Sequence, residues 1–374
     1  MNQSKTKIVH YRTTATARSN VIFKCGPMTI DYATKYKYLG VWLEEHVNIG
    51  ITAAEIAKSA SRALGVITSK ARSMGGMDYN VYERLYTNLV QPIISYGSSI
   101  IGLSEHRVFN NIHNRAGNMF LGVSSRTSNE AVRGDLGWSR MIDTQQVACA
   151  RLFLRLHNTD NTRINYKVHK WSLKRRSSWD FKTQALLLNA NINIGDYEYS
   201  NIPAKAAISN LKNYFEQRDP FLKNLWNDRN NEVNGNKLRT YRQFKYGVVT
   251  ESYVKMRIPR HHRRLLAQLR TGSLQLHIET GRWSNLNLQD RTCKLCDSES
   301  IEDELHFLIQ CSHYDDLRSS LYNIVREKCP HIDLEHGSST LIFISLLHRK
   351  NIQKSLSATM YHMCQRRQFN LERI

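Results

Sequence analysis

At 374 residues the chain is long enough to bury two or three hydrophobic cores without disulfide staples. Its 53 Lys and Arg against 32 Asp and Glu give a net charge of +21 at a hydrophobic fraction of 41%, which excludes a disordered basic tail and points to a polyanionic partner, nucleic acid before a membrane surface. No stretch approaches the ~18 consecutive apolar residues of a membrane span, and the start Met1-Asn-Gln-Ser-Lys-Thr-Lys7 is too polar for a secretory leader, so the sequence predicts a nuclear or cytoplasmic protein, not secreted, with no membrane partner.

The first elements read as strands. Residues 6–11 and 21–24 are short β-prone runs, and residues 37–43 suggest a third. From about residue 48 the period turns helical. Ile56, Ala60, Ala63, Leu64 and Ile67 recur at helical steps while Lys58, Arg62, Lys70 and Arg72 fall on the other side, and Met74-Gly-Gly-Met77 ends the pattern. A second helix runs through Tyr82, Leu85, Tyr86, Leu89 and Val90, with Pro92 predicting a kink or restart. Tyr79, Tyr82 and Tyr86 are expected in the core rather than as a base-stacking platform. Residues 112–121, 144–157 and 204–216 are further helices. The Asn-rich stretches around Asn189–Asn193 and Asn227–Asn236 predict loops, and a basic helix is expected from Pro259 to about Arg270. The predicted fold class is mainly α, with a short N-terminal β segment and a small zinc knuckle near the C-terminus.

The charge is unevenly placed. Residues 1–150 carry +7, residues 151–292 carry +15 and residues 293–374 carry −1. Two dense basic runs lie within residues 151–292. One holds Lys167, His169, Lys170, Trp171, Lys174, Arg175, Arg176 and Trp179, and the other Lys255, Arg257, Arg260, His261, His262, Arg263 and Arg264. Lysines and arginines gain affinity for phosphates by releasing counterions, and interleaved aromatic rings can stack on unpaired bases. A solvated helix face or a localisation signal is the plainer reading of each run.

Seven cysteines without framework spacing predict reduced thiols, with three of them close together. Cys293-Lys-Leu-Cys296 followed by His306 and Cys311 gives C-x2-C-x9-H-x4-C, four soft or borderline ligands that suit tetrahedral Zn2+ with no open coordination position, hence a structural ion. At about 100° per residue, His306 and Cys311 would stand about 140° apart on one helix. The helix carrying residues 302–309, with Leu305, Leu308 and Ile309 as its buried stripe, should therefore end before Cys311. Glu302, Asp303 and Glu304 make this module a poor grip for phosphate. His261-His262 is not expected to bind metal, since adjacent helical residues diverge and arginines flank them.

Several stretches form an ordered set: Asn2-Gln-Ser-Lys-Thr-Lys-Ile-Val-His-Tyr-Arg12, Tyr36-Lys-Tyr-Leu-Gly40, Gln91-Pro-Ile-Ile-Ser-Tyr-Gly97, Asn129-Glu-Ala-Val-Arg-Gly-Asp-Leu-Gly-Trp138, Arg264-Leu-Leu-Ala-Gln-Leu-Arg-Thr-Gly272, and the segment from Cys293 to Tyr314. Together they resemble the C-terminal part of reverse transcriptases from non-long-terminal-repeat (LINE-type, jockey-like) retrotransposons. The resemblance implies a palm remnant over residues 1–46, comprising the late palm motif and the primer-grip hairpin. It further implies a helical thumb over 47–157, a basic, partly helical connector over 158–254, and a zinc-binding helical domain over 255–374. RNA and DNA, as a template–primer duplex or target DNA, are the implied partners, with no small-molecule substrate. Lys5, Lys7, Lys37, Lys58, Arg62, Lys70, Arg72, Lys170, Lys174, Arg175, Arg176, Arg257, Arg260, Arg263, Arg264 and Arg270 are the expected contacts to nucleic acid.

In this family polymerisation uses two metal ions held by aspartates upstream of the late palm motif, and the resemblance places this chain downstream of them. Its sole Asp-Asp pair, Asp315-Asp316, lacks the Phe/Tyr-x spacing and reads as a helix start. The parent family is RNA-directed DNA polymerase, and the expectation for this chain alone is binding without catalysis. The alternative is a zinc-stabilised protein-interaction module, or a domesticated nucleic-acid-binding protein without an enzymatic role.

Overall fold

A computed structural model describes residues 5–194, 203–218 and 238–373. The described chain is mainly helical, as its composition and periodicity predict. The expected loop around Asn227–Asn236 lies outside the described residues, as do Asn2, Gln3 and Ser4 of the first motif.

The β-structure consists of two short hairpins. β1 (Phe23–Cys25) pairs antiparallel with β2 (Met28–Ile30), and β3 (Lys35–Tyr38) pairs antiparallel with β4 (Val41–Glu44). Residues 6–11 form no strand; Ile8 makes an isolated parallel bridge to Tyr32, just after β2, and Lys7 pairs with Asp31. The single strand expected over residues 37–43 is instead two strands and a turn. Tyr38 faces Val41, and the two-residue loop between them has φ of +46° at Leu39 and +84° at Gly40. Tight hairpins favour positive φ at both loop positions because that twist matches the strands. The Tyr96 hydroxyl donates to the Leu39 carbonyl and straps the turn down.

The helical pattern matches its prediction closely. α1 (Ile49–Ser73) buries Ala53, Ile56, Ala60, Leu64 and Ile67 and leaves Lys58, Arg62, Lys70 and Arg72 exposed. α2 (Tyr79–Leu85) widens into a π turn over Tyr86–Val90 before α3 (Gln91–Ile94) restarts with Pro92 in its first turn, where a missing N–H costs nothing. α4 (Ser98–Ile101), α5 (Arg107–Leu121), α6 (Asn129–Leu136), α7 (Met141–His157), α8 (Ile164–Leu173), α9 (Trp179–Asn189) and α10 (Ala204–Gln217) follow. Beyond them are α11 (Tyr241–Phe244), α12 (Ser252–Lys255), α13 (Arg260–Arg270), α14 (His277–Trp283), α15 (Asp315–Lys328), α16 (Ser339–His348) and α17 (Gln353–Leu371). Among the described residues no helix is long and apolar enough to cross a membrane.

The chain divides into two compact units, each assembled from separated stretches. Unit 1 takes residues 1–66, 86–113 and 140–217. Its helical core joins Phe153 and Leu154 of α7 to Leu187 of α9 and Leu211 and Phe215 of α10. Unit 2 takes residues 67–85, 114–139 and 218–374. There Tyr79 and Tyr82 pack on the ring of Phe120, and their hydroxyls donate to the carbonyls of Leu136 and Ala116 at 2.8 Å each. Tyr79, Tyr82 and Tyr86 are all buried, as expected.

Unit 2 is also organised around a buried charge. Asp135 of α6 receives the Nε and Nη2 atoms of Arg270 at 2.9 and 3.1 Å, the Tyr253 hydroxyl at 2.7 Å and the Tyr241 hydroxyl at 3.0 Å. Arg270 reaches Glu251 at 3.0 Å with the same guanidinium. Both Asp135 and Arg270 are fully buried, so the many hydrogen bonds offset a desolvation cost that the ion pair alone would not. Arg270 holds Asp135 below the usual carboxylate range against the opposing effect of burial.

Candidate functional site

The four predicted metal ligands meet in unit 2. Cys293 and Cys296 lie on a tight loop fastened by the Cys293 N–H to the Ser300 carbonyl at 2.8 Å. His306 and Cys311 flank a π turn, Leu305 leading into His306–Gln310, and the chain leaves helix at Cys311. The Cys311 N–H donates to the His306 carbonyl at 2.8 Å, a bond spanning five residues. The regular-helix angle of about 140° between the two ligands is thus closed by widening the turn. The helix does end before Cys311, and Leu308 and Ile309 are buried with Phe307, while Leu305 is half-buried.

The Sγ atoms of Cys293 and Cys311 are 3.9 Å apart and Cys296 Sγ is 3.4 Å from His306 Nε2. All four donor atoms lie within 4.8 Å of one another. A tetrahedron with metal–sulfur bonds of about 2.3 Å has edges of about 3.8 Å, so the donor set and its spacing fit a tetrahedral ion and are compatible with zinc. A contact from the Cys311 thiol holds Cys293 down at about 3, and the same contact pushes Cys311 up.

The acidic residues beside this cluster anchor it. Glu302 receives Arg367 through two bonds of 2.7 and 2.6 Å and the His277 N–H at 2.6 Å. Glu304 accepts from Arg239 at 2.7 and 3.0 Å and from the Thr240 hydroxyl at 2.8 Å, and Asp303 caps the His306 N–H at 2.8 Å. Arg318 donates to the carbonyls of Leu308 and Cys311 at 3.1 and 2.7 Å. The sequence showed three acids in a row but not the arginines, up to 65 residues away, that pair with them. A run of acids next to metal ligands, on a stretch otherwise apolar, is the signal from which burial was readable.

The predicted nucleic-acid contacts fall into separate groups. In unit 2, Arg257, Arg260 and Arg264 share the outer side of the α12–α13 segment. Arg257 is almost wholly exposed, 3.9 Å from Asp78. The Arg260 side chain lies against Gly76, and that of Arg264 lies against Gly122. Both glycines have positive φ, +142° and +74°, and Gly122 has no room for a Cβ without displacing Arg264. Lys70 and Arg72 are exposed in the last turn of α1, two residues apart and so on different sides of that helix.

Two members of the predicted set do not reach that face. Arg270 is buried in the Asp135 cluster, and Arg263 is buried with its guanidinium 4.2 Å from the Phe120 ring centre. Both point inward because they share the apolar side of α13 with Leu266 and Ala267, three or four residues from each. Neither guanidinium is open to a phosphate backbone.

In unit 1, Lys37 and Arg62 line a cavity of about 390 Å³ with Trp42, Pro92 and Tyr96. Lys58 is paired with Glu55 at 2.8 Å and Lys7 with Asp31 at 2.8 Å, while Lys5 is exposed. Lys174, Arg175 and Arg176 are exposed at the end of α8, and Lys170 lies over the Tyr166 ring. His261 and His262 meet edge-on, and both lie tilted against the Tyr361 ring. The Asp-Asp pair begins α15, and Asp316 is clamped by Arg366 at 2.5 and 2.7 Å.

Comparison with known proteins gives no matching family model, no matching curated relative and no matching solved structure.

Proposed function

We propose that this chain is the C-terminal part of a LINE-type reverse transcriptase, one that grips RNA or a template–primer duplex and holds a structural Zn2+ on Cys293, Cys296, His306 and Cys311. The observation that carries the reading is the basic face of α13, where Arg260 and Arg264 stand one turn apart with exposed Arg257 just before them. Such a face engages phosphates through charge and is tolerant of sequence. The zinc ion, when bound, would link the Cys293–Cys296 loop to the π turn and supply no open position for chemistry. Asp315 and Asp316 are committed to a helix start and an ion pair, so this chain's own Asp-Asp pair offers no polymerase metal site.

Two measurements test the reading. Purified chain is expected to carry about one zinc per molecule by elemental analysis, and protein purified without chelator but free of zinc contradicts the metal assignment. Charge reversal of Arg257, Arg260 and Arg264 to Glu is expected to weaken binding of a structured RNA at least tenfold without shifting the melting temperature. Cys293→Ser, assayed at a temperature where it remains folded, is expected to weaken it far less. Equal losses would put the zinc module itself on the nucleic acid. The chain alone is expected to show no magnesium-dependent primer extension, and synthesis in that assay refutes the absence of catalysis.

A further inference from the structure

Helix α8 in unit 1 carries two parallel rows that neither the core nor the basic face of unit 2 uses. Ile164, Val168 and Trp171 repeat at i, i+4 and i+7, and all three are open to solvent at 79%, 54% and 56% exposure. One position earlier stand Lys167 and Lys170, with Arg163 and Lys174 at the N- and C-caps of the helix. At about 100° per residue each cationic side chain stands next to an apolar one, so the rows run side by side along the helix. The opposite side of α8 is the one that packs: His169 is buried, bonded through Nδ1 to Asp180 at 2.6 Å and stacked edge-on against Phe153. The other flank of the apolar row offers Asn165 and Ser172, which are uncharged. The Arg175 guanidinium lies 3.8 Å from the Trp171 ring centre and extends the cationic edge past the helix end.

We propose that this face of α8 docks an acidic amphipathic helix of a protein partner, one whose own apolar row is bordered on a single side by carboxylates. The lopsided arrangement selects this occupant. A phosphate backbone would use the lysine row and one aromatic ring but would leave Ile164 and Val168 in water. A membrane-lying helix presents a solvated charged face opposite its apolar one, and here the opposite side of α8 is packed through buried His169. A partner helix laid along α8 covers the apolar row and faces the four cations with its acids at once, which is both the attraction and the register. The proposal is independent of the nucleic-acid reading of unit 2.

The test uses the full chain and a fluorescent synthetic helix with leucines at i, i+4, i+7 and i+11 and glutamates one position to the complementary side, against a scrambled peptide of equal composition. Anisotropy is expected to give at least tenfold tighter binding for the patterned peptide. Ile164→Ser with Val168→Ser, both at exposed positions, should abolish that preference. Lys167→Glu with Lys174→Glu should abolish it too, and a peptide with lysines in place of its glutamates should restore it. Equal binding of the two peptides, or no binding of the patterned one, overturns the proposal. It is likewise overturned if the serine variant loses affinity for a single-stranded oligoribonucleotide, or for vesicles containing phosphatidylserine, as much as for the peptide.

Discussion

Arg264 and Arg270 stand six residues apart on α13 and meet opposite ends: one is exposed over Gly122, the other buried against Asp135. Six steps of about 100° bring the second onto the apolar side. Its charge is therefore committed to holding unit 2 together. Asp135→Asn is expected to cost about 3–5 kcal/mol of stability in urea denaturation, because it removes the bidentate partner of a fully buried Arg270 and leaves it only the Glu251 carboxylate. A cost near zero would contradict the keystone role of the pair. Replacing both residues with apolar ones of similar volume should recover part of the loss. At the proposed metal centre, Cys293→Ser would remove one of four donors, so zinc content is expected to fall well below one per chain and the melting temperature with it.

Elements succeed or fail in the sequence reading according to whether their cause is local. The helices α1, α7, α10 and α13 were legible because an apolar period of three and four residues is a property of the segment itself. The strand expected over residues 6–11 was not formed, since β-propensity is decided by pairing partners that a segment does not contain. The turn at Leu39 and Gly40 hid inside a continuous β-prone run, because leucine gives no turn signal at its φ of +46°. The cluster of Cys293, Cys296, His306 and Cys311 was legible from spacing alone, but the way the chain brings His306 and Cys311 together was not, as a π turn leaves no compositional mark. The C-terminus of α6 shows how tightly such local devices can be fixed. Gly137 has φ of +68° and any Cβ there would sit 2.5 Å from the Thr250 nitrogen, so Gly137→Ala is expected to destabilise unit 2 by more than ~1 kcal/mol, read as a shift in the urea midpoint.

The junction of α7, α8 and α9 should make unit 1 sensitive to acid. His157 is pushed down to about 4, first by burial and then by the Lys170 ammonium and His169. His169 is also lowered by burial, with Asp180 opposing the shift. In the unfolded chain both would titrate near 6.5. Above that value they are neutral in both states and contribute no pH dependence. As pH falls from about 6.5 towards 4 the unfolded state takes up protons first, so stability declines across that window. His157→Gln is expected to flatten the decline in melting temperature between pH 7 and pH 5, and an unchanged slope would contradict the assignment.

Over the whole molecule, the net charge of +21 resolves into distinct uses. Some cations are internal struts, such as Arg270, Arg318, Arg367 and Arg239 with their carboxylate or carbonyl partners. Others line α8, and a third set forms the basic face of unit 2. Segment counts placed most of the charge in residues 151–292 but could not separate struts from surface, because that depends on which side of each helix faces the core. The predicted C-terminal neutrality has the same origin: Glu302 and Glu304, which made that segment look unsuited to phosphate, are interior partners of Arg367 and Arg239.

The most direct test of the nucleic-acid reading is the salt dependence of RNA binding by the full chain. Dissociation constants for a structured RNA measured between about 50 and 200 mM salt are expected to rise steeply, and the slope of log affinity against log salt should shrink by about 2–3 when Arg257, Arg260 and Arg264 are reversed to Glu. Binding that is insensitive to salt, or a slope unchanged by the triple reversal, would contradict the account.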